Sequence, residues 1–153
     1  MTVRSGTARS PSKQENSALP FDLELLTSTP DIRTVAPVHA RLVCALRYTH
    51  IARQRRKFCC RELGDKLGTD EAVHPFMVFL DEVGRAWPEP ISLNPPCQPR
   101  MSYDEMLLVD CATAAAKNDR ASFDDFLRDM APEATRRPIW NAARRLMAAL
   151  YTN

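Results

Sequence analysis

The sequence is poor in the features that announce chemistry. No apolar run approaches the roughly 18 residues needed to cross a bilayer, and no segment alternates apolar and polar residues as a half-buried strand does. Residues 1–19 are polar and basic, without the apolar stretch of an export signal. Glycine is scarce, at four residues, and none of them builds a phosphate-cradling loop. No C-x-x-C pair exists, so the usual structural zinc signature is missing. Aromatic residues make up only 7% of the chain and do not interleave with the basic ones, which argues against stacking on nucleic-acid bases. These absences point away from a membrane protein, a sheet protein and a nucleotide-loop enzyme. No cofactor, no metal and no enzymatic activity are expected.

Five cysteines are present: Cys44, Cys59, Cys60, Cys97 and Cys111. An odd number at irregular spacing, without an export signal, fits reduced thiols in a cytoplasmic protein. Cys59 and Cys60 are neighbours, and neighbours rarely reach disulfide geometry. Cys44 and Cys111 fall within helical patterns and read as small packing residues. Cys97, within Pro95-Pro96-Cys97-Gln98-Pro99, is the one thiol placed in a loop and the candidate reactive thiol. Nearby Arg100 or the start of the next helix is what would activate it. The blander alternative, a small residue tucked under the loop, is preferred.

What the chain does have is ordinary globular composition, with 44% hydrophobic and 26% charged residues. A length of 153 residues suffices for one domain that buries about two thirds of its unfolded surface. Net charge is only +2, yet the charges are segregated. Residues 32–61 hold eight basic residues and no acid, whereas residues 102–133 hold eight acids against Lys117, Arg120 and Arg128. Brought together, these segments would neutralise each other; kept apart, they would present faces of opposite sign.

Residues 1–18 lack the apolar side chains to offset the entropy of ordering and are expected to form a disordered tail. A single helical domain is expected over 19–153, with Leu19, Phe21, Leu23, Leu25 and Leu26 docking on it as a short helix or an extended strap. A first helix opens at Ala36-Pro37, because proline is tolerated where its missing N–H has no partner. Val38, Leu42, Ala45, Leu46, Thr49 and Ala52 form its apolar stripe. A second short helix covers 59–67 and stops at Gly68; a third runs from about Pro75 to Trp87, burying Phe76, Phe79, Leu80, Val83 and Trp87. Five of the twelve prolines then crowd a stiff connector at about 88–101. Ile91 and Leu93 pin it across one end of the bundle.

Ser102 and Glu105 predict a capping box, with Met101 stapling to Met106. The helix that follows is apolar on most sides from Met106 to Ala116, which marks it as central. Asp110 interrupts it, and a buried carboxylate needs a partner, expected to be an arginine of the first or last helix. Phe123, Phe126, Leu127 and Met130 predict an inward face over 120–130. Ile139, Trp140, Ala143, Leu146, Met147 and Leu150 predict another in a last helix that ends near Tyr151. The fold class is therefore all-α: a compact orthogonal bundle of five or six helices around residues 103–117.

Two constellations invite a function. Arg61 to Gly68 followed by Thr69 to Val73 reads loosely as the first helix and turn of a helix-turn-helix. However, Asp70, Glu71 and Pro75 stand where basic and amide side chains should enter the groove. The cluster Arg53-Gln54-Arg55-Arg56-Lys57 is the better candidate: Arg53, Arg55, Arg56 and Lys57 suit phosphates, an acidic protein partner, or the chain's own acids at 119–129. His39 and His50, about 16 Å apart along one helix, are too distant for one metal ion and read as half-buried packing residues.

The run Gly84-Arg85-Ala86-Trp87-Pro88, with Pro95-Pro96-Cys97, Ser102-Tyr103-Asp104-Glu105 and Asn118 to Asp124, resembles a pattern in small uncharacterised all-helical proteins of bacteria, over roughly residues 36–150. That resemblance implies a helical fold and carries no functional residue. The expected function is that of a non-enzymatic, regulatory protein-interaction module that docks a protein partner or a second copy of itself. The alternative is a nucleic-acid-associated protein using the basic first helix. No membrane association is expected.

Overall fold

Pro37 occupies the first position of α1 (Pro37–Gln54), where its fixed backbone suits a helix and its missing N–H leaves nothing unpaired. The computed structural model describes residues 28–152; the tail expected at 1–18 and the docking segment expected at 19–27 lie outside the described residues. Residues 28–30 are not helical. The Pro30 carbonyl accepts from the Met101 N–H, and the Ile32 N–H donates to the Pro99 carbonyl, so the chain enters alongside the end of the proline connector.

Helix α2 (Cys60–Leu67) is ended by Gly68, whose left-handed backbone (φ 82°) is the conformation glycine adopts without penalty. A side chain there would also meet the Arg41 guanidinium, which lies 3.0 Å from where a Cβ would be. A 3-10 turn (Asp70–Ala72) leads into α3 (Val73–Ala86). This helix begins two residues earlier than the sequence suggests, so Pro75 falls in the first turn and disturbs nothing. Helix α4 (Tyr103–Ala116) carries the expected capping box: Ser102 Oγ accepts from the Glu105 N–H at 3.1 Å, and Glu105 Oε2 accepts from the Ser102 N–H at 2.9 Å. Helix α5 (Arg120–Leu127) is capped by Asp119, and α6 (Glu133–Tyr151) closes the described chain.

These six helices make an all-α bundle; the described residues contain no strand beyond the single Asp31–Arg100 bridge. Helix α4 packs on α1, α5 and α6, while α6 packs on α3, α4, α5 and the 3-10 turn, so the two share the centre. Ala112, Ala114 and Ala115 of α4 and Ala142 and Ala143 of α6 are all buried, and small side chains are what let helices approach closely. All six residues of the predicted α6 face are buried. Phe76, Phe79 and Phe123 are fully enclosed, and truncating such a side chain costs about 3–5 kcal/mol.

One inward residue is corrected. Phe126 is 39% exposed, because the two turns of α5 present Phe123 and Leu127 to the core and leave Phe126 at the edge. The connector crosses the bundle as expected, with Ile91 and Leu93 partly buried against the core and Met101 fully so. Helices α1 and α3 are not among the closely packed pairs. The space between them becomes the cleft described below.

Candidate interaction surface

Arg47 lies in the basic stretch, yet it is the most deeply buried charge of α1. Its side chain is 2% exposed and that of Glu105 is 0% exposed. Nε and Nη2 donate to Glu105 Oε1 and Oε2, both at 2.8 Å, in a bidentate pair. Nη1 donates to the carbonyls of Pro95 (3.2 Å) and Gln98 (2.6 Å), and Nη2 also donates to the Arg100 carbonyl (2.9 Å). The five donor positions of the guanidinium are therefore all used. The carboxylate is equally full, since Oε1 also accepts from the Asn94 N–H and Oε2 from the Ser102 N–H. This pair clamps the connector against α1 and α4. Sequence reasoning found Glu105 only as a cap and did not single out Arg47 at all.

Less than two turns further along α1 the picture reverses. Arg53 reaches Asp81 of α3 at 3.6 Å, with both side chains about half exposed. Arg55, Arg56 and Lys57 are exposed and form no ion pair among the described residues. The chain turns here through Arg56, whose backbone is left-handed (φ 53°), and the Lys57 N–H closes the turn on the Ala52 carbonyl at 2.9 Å. An arginine in the place glycine usually takes carries a conformational penalty. Beside it Phe58 is 37% exposed, its ring 6.4 Å from that of Tyr48. Tyr48 Oη holds the next residue by donating to the Cys59 carbonyl and accepting from its N–H.

The acids at 102–133 do not come to this cluster. Asp124 pairs with Arg120 and Arg136, Glu133 pairs with the same two arginines, and Asp125 pairs with Arg128. Asp119 is committed to capping α5 through Ser122, and these bonds hold its carboxyl below the usual range. Apart from the buried Arg47–Glu105 pair, the two segments form no ion pairs with each other among the described residues. Asp119, Asp124, Asp125 and Glu133 instead find an arginine or a capping partner close by in the chain.

Asp110 is a second correction. No arginine among the described residues meets it. It is partly buried near His39, and burial raises its carboxyl above the ordinary value. The Thr113 hydroxyl lies 3.0 Å from His39 Nε2 and gives its hydrogen to the Val109 carbonyl, so the imidazole is the donor. Burial lowers the His39 pKa, with the Asp110 charge opposing. With its hydrogen directed into its own helix, Thr113 is not arranged as a nucleophile. His50 is exposed rather than half-buried and contacts Gln54 at 3.1 Å.

The cysteines divide differently from the expectation. Cys97 is exposed at the turn of the connector instead of tucked beneath it, and Cys44 is exposed on α1. Cys111 alone is buried, and its thiol is pushed up to about 12 by burial and by the Asp110 charge. No group of three or more His, Cys, Asp or Glu side chains among the described residues could hold a metal ion. The helix-turn-helix also loses its groove-reading element. Phe76, Phe79 and Val83 bury α3 against the core, and its exposed positions include Asp81 and Arg85 but no run of cations.

Between α1 and α3 lies a cleft of about 300 Å³, closed at one end by the connector. Leu46, Leu80, Trp87, Ile91 and Leu93 supply its apolar walls. Thr49, His50, Arg53 and Gln54 line it from α1, Gly84 from α3 and Glu89 from the connector. Thr49 is fully buried, and its hydroxyl has no hydrogen-bond partner among the described residues. No helix among the described residues is long and apolar enough to cross a membrane. No family model matches the chain, and no curated protein or solved structure shows significant similarity to it.

Proposed function

We propose that the protein is a non-enzymatic interaction module that docks an acidic segment of a protein partner on the basic end of α1. One observation carries this. Arg55, Arg56 and Lys57 project as a group without ion-pair partners among the described residues, while the acids at 102–133 are largely committed close to home. Phe58, next to Lys57 at the edge of this patch, supplies an aromatic anchor, the kind of side chain that concentrates binding energy in small interfaces. The left-handed backbone at Arg56 fits the same reading, because an arginine held at a conformational penalty is often there for function.

A protein partner is favoured over nucleic acid by the setting of the patch. The exposed charges of the adjoining α2 (Arg61, Glu62, Asp65 and Lys66) cancel, and Asp81 faces Arg53, so the uncancelled positive patch is confined to the end of α1 and is short for an extended phosphate backbone. Pairing with a second copy is disfavoured for a related reason: a partner surface of matching acids is mostly used up.

Fluorescence anisotropy with a labelled acidic peptide carrying one aromatic residue tests this, set against a labelled duplex DNA of similar charge. Saturable peptide binding, weakened at least about tenfold when Arg55, Arg56 and Lys57 are all changed to Gln, is the expected result. Tighter, steeply salt-dependent binding of the duplex transfers the patch to nucleic acid. Affinity for neither ligand removes the proposal.

A further inference from the structure

The cleft between α1 and α3 is a separate feature from the basic patch, although Arg53 borders both. Leu46, Thr49, His50 and Arg53 follow one another at helical spacings of three and four, so they share one face of α1. Along that face the chemistry changes from alkyl to hydroxyl to guanidinium. The opposite wall runs the other way: Leu80 lies one residue from Asp81, which contacts Arg53, while Trp87, Ile91 and Leu93 lie toward the connector. The cleft is thus apolar at its connector end and cationic at the far end. Glu89, its one acid, belongs to the connector end.

A second, independent observation concerns Thr49. Its hydroxyl is buried without a partner, although a threonine within a helix ordinarily bonds back to the carbonyl four residues earlier. Buried hydroxyls are nearly always satisfied, and this one, sealed beneath the cleft wall, becomes a donor for a ligand atom when the neighbouring His50 or Arg53 side chain swings aside. Thr49 and Arg53 are one turn apart, close enough for a single carboxylate to accept from both.

The geometry points to a binding site for a small amphiphilic carboxylate, either a short acyl chain or a single ring bearing a carboxylate. The apolar body packs among Leu46, Trp87, Ile91 and Leu93, and the head group lies between the Thr49 hydroxyl and the Arg53 guanidinium. Arg53 is free to turn toward it because its contact with Asp81 is long and solvent-exposed. The volume, about 300 Å³, is at the small end for ligand sites and suits a fragment-sized molecule. The connector, and through it the Arg47–Glu105 clamp, sets the apolar wall, so the site is built on a pinned element.

The test uses octanoate as probe and octylamine as its charge-reversed control, followed through the indole N–H signals in heteronuclear NMR spectra. Trp87 lines the cleft and Trp140 is buried in the core. A saturable shift at Trp87 but not at Trp140 is expected, with octylamine binding at least about fivefold more weakly. Arg53→Gln should weaken octanoate by about fivefold, and Thr49→Val should weaken it further.

Gly84 offers a block that spares the fold. A Cβ there meets nothing within 4 Å, so Gly84→Leu projects into the cleft and should abolish the Trp87 shift while the far-UV spectrum stays unchanged. Three results overturn the assignment: no saturation up to about 10 mM, equal binding of octylamine, or a shift that survives Gly84→Leu. Acidic-peptide binding at Arg55 to Lys57 is scored separately, so either site can fail without the other.

Discussion

Arg47 and the group Arg55, Arg56 and Lys57 stand on the same helix or its immediate end, about 12 Å apart along the axis, and nothing in their residue type separates them. One has all five of its N–H donors engaged among the described residues. The others face water on a strained turn. The difference is what lies opposite. Arg47 is met by Glu105 and by three connector carbonyls, an arrangement in which five N–H donors meet five acceptor atoms. At Arg56 the helix has ended and no acid approaches among the described residues. A basic segment is therefore not one physical object: its inner part holds the fold together, and its outer part is available.

The largest expected effect breaks the inner part. Arg47→Ala strands a fully buried carboxylate and leaves the Pro95, Gln98 and Arg100 carbonyls without this donor. It should lower stability by about 3–5 kcal/mol in urea unfolding, enough to approach the whole stability of a small domain. The connector should also become a preferred site of limited proteolysis. The double variant Arg47→Met/Glu105→Leu removes the stranded charge but should recover only part of the loss, because the three carbonyls stay without this donor and the Asn94 and Ser102 N–H groups lose their acceptor. If Arg47→Ala unfolds like the parent chain, the clamp is decorative and the contrast drawn above fails.

Much of the fold was legible because its determinants are local. The capping box at Ser102 and Glu105 spans four residues, the α6 stripe repeats every three to four, and Gly68 stops α2 by its own backbone freedom. The clamp was not legible in the same way, since its two charges are 58 positions apart. A signal did exist. Arg47 is flanked at helical spacing by Val43, Cys44 and Ile51, a neighbourhood unlike that of Arg55 to Lys57. Asp110 failed for the converse reason: the expectation that a carboxylate in an apolar helix needs an arginine took no account of how much water still reaches it. Exposure of Phe126, Cys44 and Cys97 likewise depends on where a helix lies relative to its neighbours, which periodicity does not encode.

The outer part can be sharpened through its strain. Arg56→Gly places the residue suited to a left-handed helix end at that position, and it should raise stability by about 1 kcal/mol while weakening the acidic peptide. A stability gain with undiminished binding would detach the strain from the proposed function. A loss of stability would mean that the Arg56 side chain has a structural partner.

Asp110 gives a smaller effect and a defined pH dependence. It shares α4 with Glu105 but lacks a comparable partner, and burial raises its pKa. A raised carboxyl pKa means that the folded state binds the proton more tightly than the unfolded chain does. The contribution is therefore favourable at low pH and is lost as pH rises from the ordinary carboxyl value through the raised one. Asp110→Asn should accordingly stabilise the protein at pH 7, by no more than about 1 kcal/mol given its solvent access, with the gain vanishing near pH 3. His39 works in a different window. Its lowered pKa makes the folded state favour the neutral ring, so stability falls as pH drops below about 6.5, and His39→Gln should flatten that fall. Thermal melts of both variants across pH 3–8 separate the two.

The smallest expected effect is the most discriminating. In Arg55→Gln/Lys57→Gln, two opposing influences on folding are removed at once: attraction of the cations to the negative end of α1 and repulsion among four like charges. Neither residue makes an ion pair among the described residues, so the net change should stay within about 0.5 kcal/mol. Binding of the acidic peptide should still weaken, and its dependence on salt should become shallower, because fewer counter-charges are exchanged. A residue that matters to a partner and not to the fold behaves in this way. Should the double variant instead lose more than about 1 kcal/mol of stability, these side chains are engaged with the body of the protein after all. The outer part of the basic segment would then be a second clamp, and the partner surface would have to be sought elsewhere.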